Sequence, residues 1–443
     1  MQLEVTNRQI IKIAGPISLA LIIPQINHIT NTAFVGRLGE FELAANGIAG
    51  IYYLVMYMIA YGLNNGLQVL IARRAGQRQY EGIGRLFANG LQVGVFFSLL
   101  AILLTLVAAP WFFAHALHDQ HIISAAVSFI RIRIWGLPFL MALNMANAFY
   151  IGTGNSKVLA PTSLCQEMTN IFFDYVLIFG KLGFPFLGLN GAATASVIAE
   201  VTGCTVAFSI LFARHYHTRY SLFRFPRLHW EIVRNILNVS APLIVQFLFS
   251  IGSWFVFFIF IEHMGERPLA VSNMLRSIFG LFGITTWALA AACNTMVSNV
   301  IGQGKQELVF KAIRKIVTIA VACAAALCIV VNLFPYTLLH IYTTNADLIT
   351  MAIPSIRVIT LSTLLMAVSA VVMSGVVGTG NTRVNLVTEL IAVVGYLAYC
   401  DIVIERMRSD LQWAWGADFI YWIIIFGLSY WYLRSGRWKG KEI

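Results

Sequence analysis

The heptapeptide GTGNSKV at residues 152–158 returns half a chain later as GTGNTRV at residues 378–384. Five positions are identical, and the two that differ are conservative replacements. The separation between the two strings, here called the repeat offset, also relates Pro16 to Pro242. Because this offset is about half of the 443-residue chain, it indicates a protein built from two copies of one unit.

Long apolar stretches indicate that each copy folds in a membrane. Hydrophobic residues make up 59% of the sequence and charged residues only 11%, with a mean hydropathy of +0.77, whereas a soluble domain carries about 25% charged residues. The apolar stretches run for roughly 20–28 residues without the alternation of a barrel strand. In lipid, only helices and closed barrels satisfy every backbone polar group. The sequence therefore predicts an all-α multi-pass membrane protein.

Twelve transmembrane helices are predicted, six in each copy of the repeat. They lie near residues 10–35, 46–72, 87–112, 123–151, 159–180, 190–213, 233–261, 268–300, 312–336, 349–378, 385–404 and 412–433. The predicted domains are an N-terminal six-helix lobe (1–213), a basic cytoplasmic linker (214–231) and a C-terminal six-helix lobe with a short basic tail (232–443). Six spans per copy make the repeat parallel. Two pseudo-symmetric lobes with a substrate cavity between or within them are typical of secondary transporters.

The basic residues predict the topology. Nineteen lysines and arginines follow even-numbered spans or lie in the C-terminal tail, and five follow odd-numbered spans: Arg37, Lys181, Arg267, Arg406 and Arg408. The positive-inside rule places both termini and the linker in the cytoplasm. The net charge of +11 is therefore interpreted as topogenic charge, and no nucleic-acid partner is predicted.

Several motifs resemble the multidrug and toxic compound extrusion (MATE) family. Residues 31–39, NTAFVGRLG, resemble its DTAFVGRLG signature, the two GTGN strings resemble its loops, and Asp174-Tyr175 resembles its N…LDY element. The resemblance covers essentially the whole chain. It implies two six-helix lobes in a bacterial plasma (inner) membrane. It also implies export of organic cations or drugs, driven by inward flow of sodium or protons without any other cofactor.

The chain departs from the family pattern at two acidic positions. Asn31 replaces the acid of the first span, and Ser250 replaces a glutamate that one bacterial branch carries in span 7. An amide supplies neither a proton nor a net charge, although its oxygen can ligate a cation. Ion chemistry is therefore expected in the N-terminal lobe, without the acid of helix 1.

Asp174 is the leading candidate for ion coupling. An ionisable side chain at membrane depth costs roughly 2.5–3.5 kcal/mol on insertion scales and is a functional candidate by default. Asn170 lies one turn earlier on the same helical face. Together they offer half of a sodium site, since hard cations prefer oxygen ligands, and the carboxylate can carry a proton instead. By position, the resemblance adds Asn31, Asn147 and Thr194 to the ion-coupling residues.

Four further polar residues are predicted to line the substrate path or to act in gating: Glu167, His28, Gln25 and Asn27. Glu167 lies nearer the cytoplasmic end than Asp174. The amides of helix 1 place that helix against a wet cavity, and His28 is a candidate to titrate in place of the missing acid. Helix–helix hydrogen bonding is the structural alternative for these residues.

Three acids of the C-terminal lobe have two interpretations. Glu389, Asp401 and Asp418 either attract a cationic substrate or occupy interfacial positions, paired with Arg406 or Arg408. The sequence does not decide between them.

The predicted function is that of a secondary active antiporter, working as a monomer by alternating access. One alternative is a flippase for a lipid-linked oligosaccharide or another lipid, which needs a strongly cationic cavity for pyrophosphate. Another is a membrane-embedded transferase using the loop cluster of His115, His118, Asp119 and His121. The sequence has no Walker motif and no nucleophile–base pair, so it does not predict an enzyme.

Overall fold

The computed structural model describes residues 2–117, 119–224 and 227–441. Helices account for 86% of the structure, and the described residues contain no strand. The prediction of an all-α multi-pass membrane protein is confirmed.

Sixteen α-helices follow one another along the described chain. The first eight are α1 (Asn7–Gly36), α2 (Glu40–Gly76), α3 (Tyr80–Ala116), α4 (Gln120–Arg133), α5 (Leu137–Gly152), α6 (Leu159–Phe179), α7 (Leu189–Ala213) and α8 (Tyr216–Arg219). The others are α9 (Trp230–His263), α10 (Glu266–Gly302), α11 (Val309–Leu333), α12 (Pro335–His340), α13 (Ala346–Gly378), α14 (Thr382–Cys400), α15 (Leu411–Ala414) and α16 (Ala417–Ser435). Short 3₁₀ turns occupy Ile134–Gly136, Ser156–Val158 and Gln306–Leu308, and a π-helical segment occupies Asp401–Arg406.

Eleven helical segments of the described chain are long and apolar enough to cross a membrane. The predicted span that is missing from this set is α6. Its 21 residues reach about 31 Å at 1.5 Å per residue, enough for a bilayer core. Its mean hydropathy is low because it carries Glu167, Asn170 and Asp174. The least apolar span is therefore the one that holds the leading candidate residues.

The chain divides into two compact units. Unit 1 contains Gly15–Ser240, and unit 2 contains Gln2–Ala14 together with the residues from Ala241 onward. The changes between units fall within α1 and α9, just before Pro16 and Pro242. These two positions are separated by the repeat offset. The chain therefore passes from one unit to the other at equivalent places in the two copies of the repeat.

The first residues of the chain are held by hydrogen bonds within unit 2. Leu3 N donates to Asn299 Oδ1 at 2.9 Å, and Gln303 Nε2 donates to Leu3 O at 3.0 Å. Lys315 Nζ donates to Val5 O at 3.2 Å. Backbone groups of the segment before α1 are thus satisfied by α10, the residue after it and α11.

The two GTGN strings form tight turns between helices. Gly154 and Gly380 have φ angles of 75° and 86°, a region that glycine occupies without the steric cost a Cβ brings. Each glycine lies just after a helix and bonds back to its last turn. Gly154 N donates to Ile151 O, and Gly380 N donates to Val377 O. They connect α5 to α6 and α13 to α14 in the same way.

A short irregular turn separates α4 from α5. The 3₁₀ turn Ile134–Gly136 separates the two helices, and Pro138 follows in the first turn of α5. Proline fits there because its missing N–H falls among the groups that lack an intrahelical partner. A Cβ on Gly136 would overlap the carboxylate of Glu200. Glycine therefore lets α7 bring an acidic side chain against the turn.

We expect Gly136→Ala to destabilise the protein, because the added methyl group displaces a buried carboxylate. Overpacking of this kind costs roughly 1–3 kcal/mol. Gly47→Ala in α2 is the matched control, since a Cβ there meets nothing within 4 Å and alanine favours a helix by about 0.5–1 kcal/mol. Thermal unfolding of the purified protein should rank Gly47→Ala above Gly136→Ala, and equal unfolding temperatures would contradict the close contact.

Candidate functional site

Hydrogen bonds join α1 and α6 through five polar side chains, here called the α1–α6 polar cluster: Asn27, Asn31, Glu167, Asn170 and Asp174. Asn27 Nδ2 donates to Glu167 Oε2 at 2.5 Å, and Asn31 Nδ2 donates to Asp174 Oδ2 at 2.9 Å. Asn27 and Asn31 are one turn apart on α1, so they meet acids at two levels of α6. The structure thus brings together five of the nine residues predicted for the site.

The Asn170 amide lies at the centre of this cluster. In the orientation that satisfies its neighbours, its nitrogen donates to Asp174 Oδ2 at 2.9 Å and to Asn27 Oδ1 at 3.1 Å. Its oxygen accepts from Ser196 Oγ of α7 at 3.2 Å. Asn170 therefore couples three helices, and Ser196 is a contact that the sequence did not predict.

Asp174 is fully buried, and only half of its carboxylate is satisfied. Its residue exposure is 0%. Asn31 and Asn170 both reach Oδ2, whereas Oδ1 has no hydrogen-bond partner in the described structure. No described lysine or arginine lies within salt-bridge distance. A buried acceptor without a partner costs roughly 1–3 kcal/mol, and more when charged. Binding of a cation or a proton at the free oxygen would remove this cost.

A second acid of unit 1 has a permanent partner. Arg133 of α4 binds Glu200 of α7 with both terminal nitrogens, at 2.8 and 2.6 Å. The Tyr53 hydroxyl of α2 donates to the same carboxylate at 2.9 Å, and the guanidinium lies 3.8 Å from the centre of the Tyr53 ring. The Arg133 charge is thus already balanced by Glu200.

Sequence reasoning missed Glu200. The available signal was a glutamate inside an apolar span, together with an arginine inside span 4. Opposite charges at membrane depth tend to pair. The Arg133 side chain points into unit 1, with 15% of its surface exposed.

The acids that interact with Arg133 outnumber it, which leaves a surplus of negative charge in this group. Glu167 interacts electrostatically with Glu200 and Arg133, and Asp174 interacts with Arg133 and Glu167. Three carboxylates therefore face one guanidinium. When all are ionised this group carries two uncompensated negative charges, which favours binding of a cation.

The other predicted site residues lie outside the polar cluster. The Thr194 hydroxyl of α7 donates to Asn190 O of its own helix at 2.8 Å, while Ser196 faces Asn170. Asn147 of α5 is partly exposed and makes no hydrogen bond to the cluster within the described residues. Gln25 and His28 are exposed on α1. The roles predicted for these four residues remain predictions.

The acids of unit 2 separate into exposed and buried groups. Asp401 pairs with Arg406, whose Nη2 lies 2.8 Å from Asp401 Oδ2, as one sequence interpretation expects. Glu389 and Asp418 are buried, with exposures of 1% and 5%. Neither makes a salt bridge with a described residue.

The loop cluster considered for a transferase is only partly described, because His118 lies outside the described residues. Asp119 caps α4 by accepting from His121 N at 2.8 Å. No group of three or more His, Cys, Asp or Glu residues with metal-binding geometry occurs in residues 2–117, 119–224 and 227–441.

The MatE family model matches residues 16–176 and 242–400. The chain belongs to the MATE family. The second match begins one repeat offset after the first, so each copy of the repeat matches the family separately. Members of this family are multidrug efflux transporters, so the chain is a multi-pass membrane transport protein and not an enzyme.

Curated relatives match this MATE chain over nearly its whole length. A probable multidrug resistance protein NorM from Thermotoga maritima is 22% identical over 439 residues, which is 98% of this chain and 94% of the relative. A probable multidrug resistance protein YoeA from Bacillus subtilis is 21% identical over 443 residues, covering 97% and 93% of the two chains.

Solved structures show the same fold. A MOP superfamily transporter from Pyrococcus furiosus superimposes with a TM-score of 0.89 at 20% identity, covering 98% of this chain and 96% of that one. An outward-facing multidrug resistance MATE transporter gives a TM-score of 0.87 at 19% identity, with coverages of 98% and 96%. These neighbours have twelve helices in two lobes, which confirms the predicted fold class and makes α6 one of the twelve.

We expect single replacements of the Arg133–Glu200 pair to destabilise the protein more than the double replacement. Arg133→Met or Glu200→Met leaves one buried charge without its partner, at a cost of roughly 3–5 kcal/mol. The double variant removes both charges and should recover most of that loss. Thermal unfolding of the three purified variants measures the difference. A double variant as unstable as the sum of the single variants would contradict a direct pair.

Proposed function

We propose that this MATE protein is a secondary active antiporter that exports amphipathic organic cations or drugs in exchange for sodium or protons. The observation that carries the proposal is the buried carboxylate of Asp174, which has one free oxygen and no basic partner in the described structure. We place the protein in the bacterial inner membrane with both termini in the cytoplasm, because the basic loops follow even-numbered spans.

The donor atoms around Asp174 suit a small monovalent cation. A proton needs one basic oxygen, and Asp174 Oδ1 is free to take it. Sodium needs several oxygens, and the amides of Asn31 and Asn170 supply them if each turns its oxygen towards the ion. Both ions neutralise the same carboxylate.

Neutralisation supports a switch between two states. With an ionised, half-paired Asp174, the outward-open state keeps the site accessible to ions. A bound cation removes the cost of burying a negative charge when α1 closes against α6. The substrate is then released to the outside. The protein then alternates to its inward-facing state, where the ion dissociates into the cytoplasm and a cationic substrate enters.

The chemical gradient of the coupling ion sets the export that one carboxylate can drive. Exchange of one cation for one singly charged substrate moves no net charge, so the membrane voltage does not contribute. A tenfold inward gradient of the ion is worth about 1.4 kcal/mol and balances a tenfold outward gradient of substrate. A single carboxylate can therefore drive export against a substrate gradient as large as the ion gradient.

The net negative charge of the buried group in unit 1 disfavours the flippase alternative. A pyrophosphate headgroup carries several negative charges and binds where arginines and lysines are in excess. In unit 1, Arg133 is held by Glu200, while Glu167 and Asp174 have no basic partner of their own among the described residues. This balance favours a cation as the transported species.

We expect Asp174→Asn to abolish ion-driven efflux, because the amide cannot be neutralised by a cation. The assay is efflux of a fluorescent organic cation from proteoliposomes, with a sodium gradient and a pH gradient imposed in separate experiments. Asp347→Asn is the matched control, since it makes the same chemical change at an exposed position in the first turn of α13.

The outcome also identifies the ion. Drive by one gradient alone, lost in Asp174→Asn and kept in Asp347→Asn, would name the coupling ion. Full ion-driven efflux by Asp174→Asn would exclude Asp174 as the coupling residue.

We expect Asn31→Asp to tighten binding of the driving ion. The change places a second carboxylate within hydrogen-bond distance of Asp174, and two carboxylates in one site bind a shared cation or proton more strongly. Half-saturation of efflux should move to an ion concentration lower by about tenfold, which corresponds to about 1.4 kcal/mol. An unchanged half-saturation would show that residue 31 does not share the ion with Asp174.

A further inference from the structure

Unit 2 contains a buried carboxylate beside polar side chains of two neighbouring helices. Glu389 of α14 has 1% exposure and accepts a hydrogen bond from the Tyr421 hydroxyl of α16 at 2.6 Å. Gln246 and Ser250 of α9 lie nearby. Ser250 Oγ is 3.5 Å from the Tyr421 hydroxyl.

No basic side chain in the described part of the chain balances this carboxylate. Among the described residues, no lysine or arginine makes a salt bridge with Glu389 or with Asp418, the other buried acid of unit 2. Asp418 lies one turn before Tyr421, and its Oδ2 has no partner. The titratable side chains near Asp418 are Tyr396, Cys400 and Tyr421, which are neutral in their protonated forms. An ionised carboxylate buried in a membrane lobe without a counter-charge is costly.

An unused oxygen belongs to the same network. Asn385 lies one turn before Glu389 on the same face of α14, with 1% exposure. Its Nδ2 donates to Gln246 Oε1 at 2.6 Å, whereas its Oδ1 has no partner. A buried amide oxygen without a donor is an available ligand for a cation, or an acceptor for a protonated acid.

This arrangement repeats the pattern of unit 1 at a different height. Asn170 and Asp174 of α6 have the same spacing along their helix as Asn385 and Glu389 of α14. The repeat offset would carry Asn170 to position 396, and Asn385 precedes that position by about three helical turns. A whole number of turns keeps the second pair on the same helical face, displaced by about 16 Å from the repeat-equivalent position towards the N-terminus of the helix.

The helices that meet the acid are also equivalent in the two units. The acid of α6 faces α1, and the acid of α14 faces α9, which is the repeat partner of α1. Ser250 of α9 also lies beside Glu389.

We propose that Glu389, with Asn385 and Tyr421, binds a second small monovalent cation, a proton or sodium, in unit 2. The inference rests on the proposed antiport function and gives it a stoichiometry of two cations in each cycle. A proton is taken from and returned to the solvent, and it resides on a Glu389 carboxylate oxygen. Exchange of two cations for one singly charged substrate moves net charge, so transport responds to membrane voltage.

The test measures cation binding to the full-length purified protein in lipid nanodiscs. Radioactive sodium reports sodium binding, and the infrared carbonyl band of a protonated carboxylic acid reports proton binding. The variants are Asp174→Asn, Asp174→Asn with Glu389→Gln, and Asp174→Asn with Asp347→Asn. Asp347 is the control because it is an exposed acid of unit 2.

We expect Asp174→Asn to keep one binding event, Glu389→Gln to remove it in that background, and Asp347→Asn to leave it. Loss of sodium binding assigns sodium to the site, and loss of the carbonyl band assigns a proton. Equal sodium binding and an equal carbonyl band in Asp174→Asn, with or without Glu389→Gln, would overturn the proposal.

Two further variants keep the test decisive if Glu389→Gln impairs folding. Glu389→Asp retains a carboxylate, and Tyr421→Phe removes one donor while keeping the ring. In the Asp174→Asn background, each should shift the concentration for half-binding by several-fold, and unchanged binding in both would overturn the proposal.

If Asp174→Asn binds as many cations as the wild type, the proposed role of Asp174 fails. The inference about Glu389 is read from the double variant and is judged separately.

Discussion

A carboxylate buried in a lipid-embedded lobe must be neutralised, and the buried acids of this protein differ in how that is achieved. Glu200 has a permanent partner in Arg133, so its charge is fixed inside unit 1. Asp174 and Glu389 receive hydrogen bonds from neutral groups, which stabilise them without balancing their charge. In the transport cycle that we propose, exchangeable cations supply the positive charge that these two carboxylates lack. The proposed cycle depends on this distinction between a fixed and an exchangeable partner.

Local patterns in the sequence predicted the fold and selected five residues that the structure brings together in the α1–α6 polar cluster. Helical spacing alone places Asn170 and Asp174 on one face of α6, and the repeated GTGN strings mark equivalent turns in both units. The repeat offset reappears in the family matches and in the positions where the chain changes unit. These features depend on residues close in sequence, or on duplication, and need no knowledge of packing.

Contacts between helices were harder to predict. Glu167 meets Asn27, and Asn170 meets Ser196 instead of Thr194, because the relative height of two packed helices depends on side-chain fit along their whole length. Glu200 was missed since its role depends on its pairing with Arg133 of another helix. The Glu389 network was hidden by its three-turn displacement from the repeat. In each case the deciding information is tertiary register.

The central claim is that substrate leaves as a cation enters through the same protein. The direct measurement is ion uptake driven by substrate: proteoliposomes are loaded with a fluorescent organic cation, no ion gradient is imposed, and entry of radioactive sodium or of protons is followed as the substrate leaves. The account predicts uptake of one of these ions against its gradient, stopping when the outward substrate gradient is abolished. Substrate efflux at a normal rate without movement of either ion would contradict it.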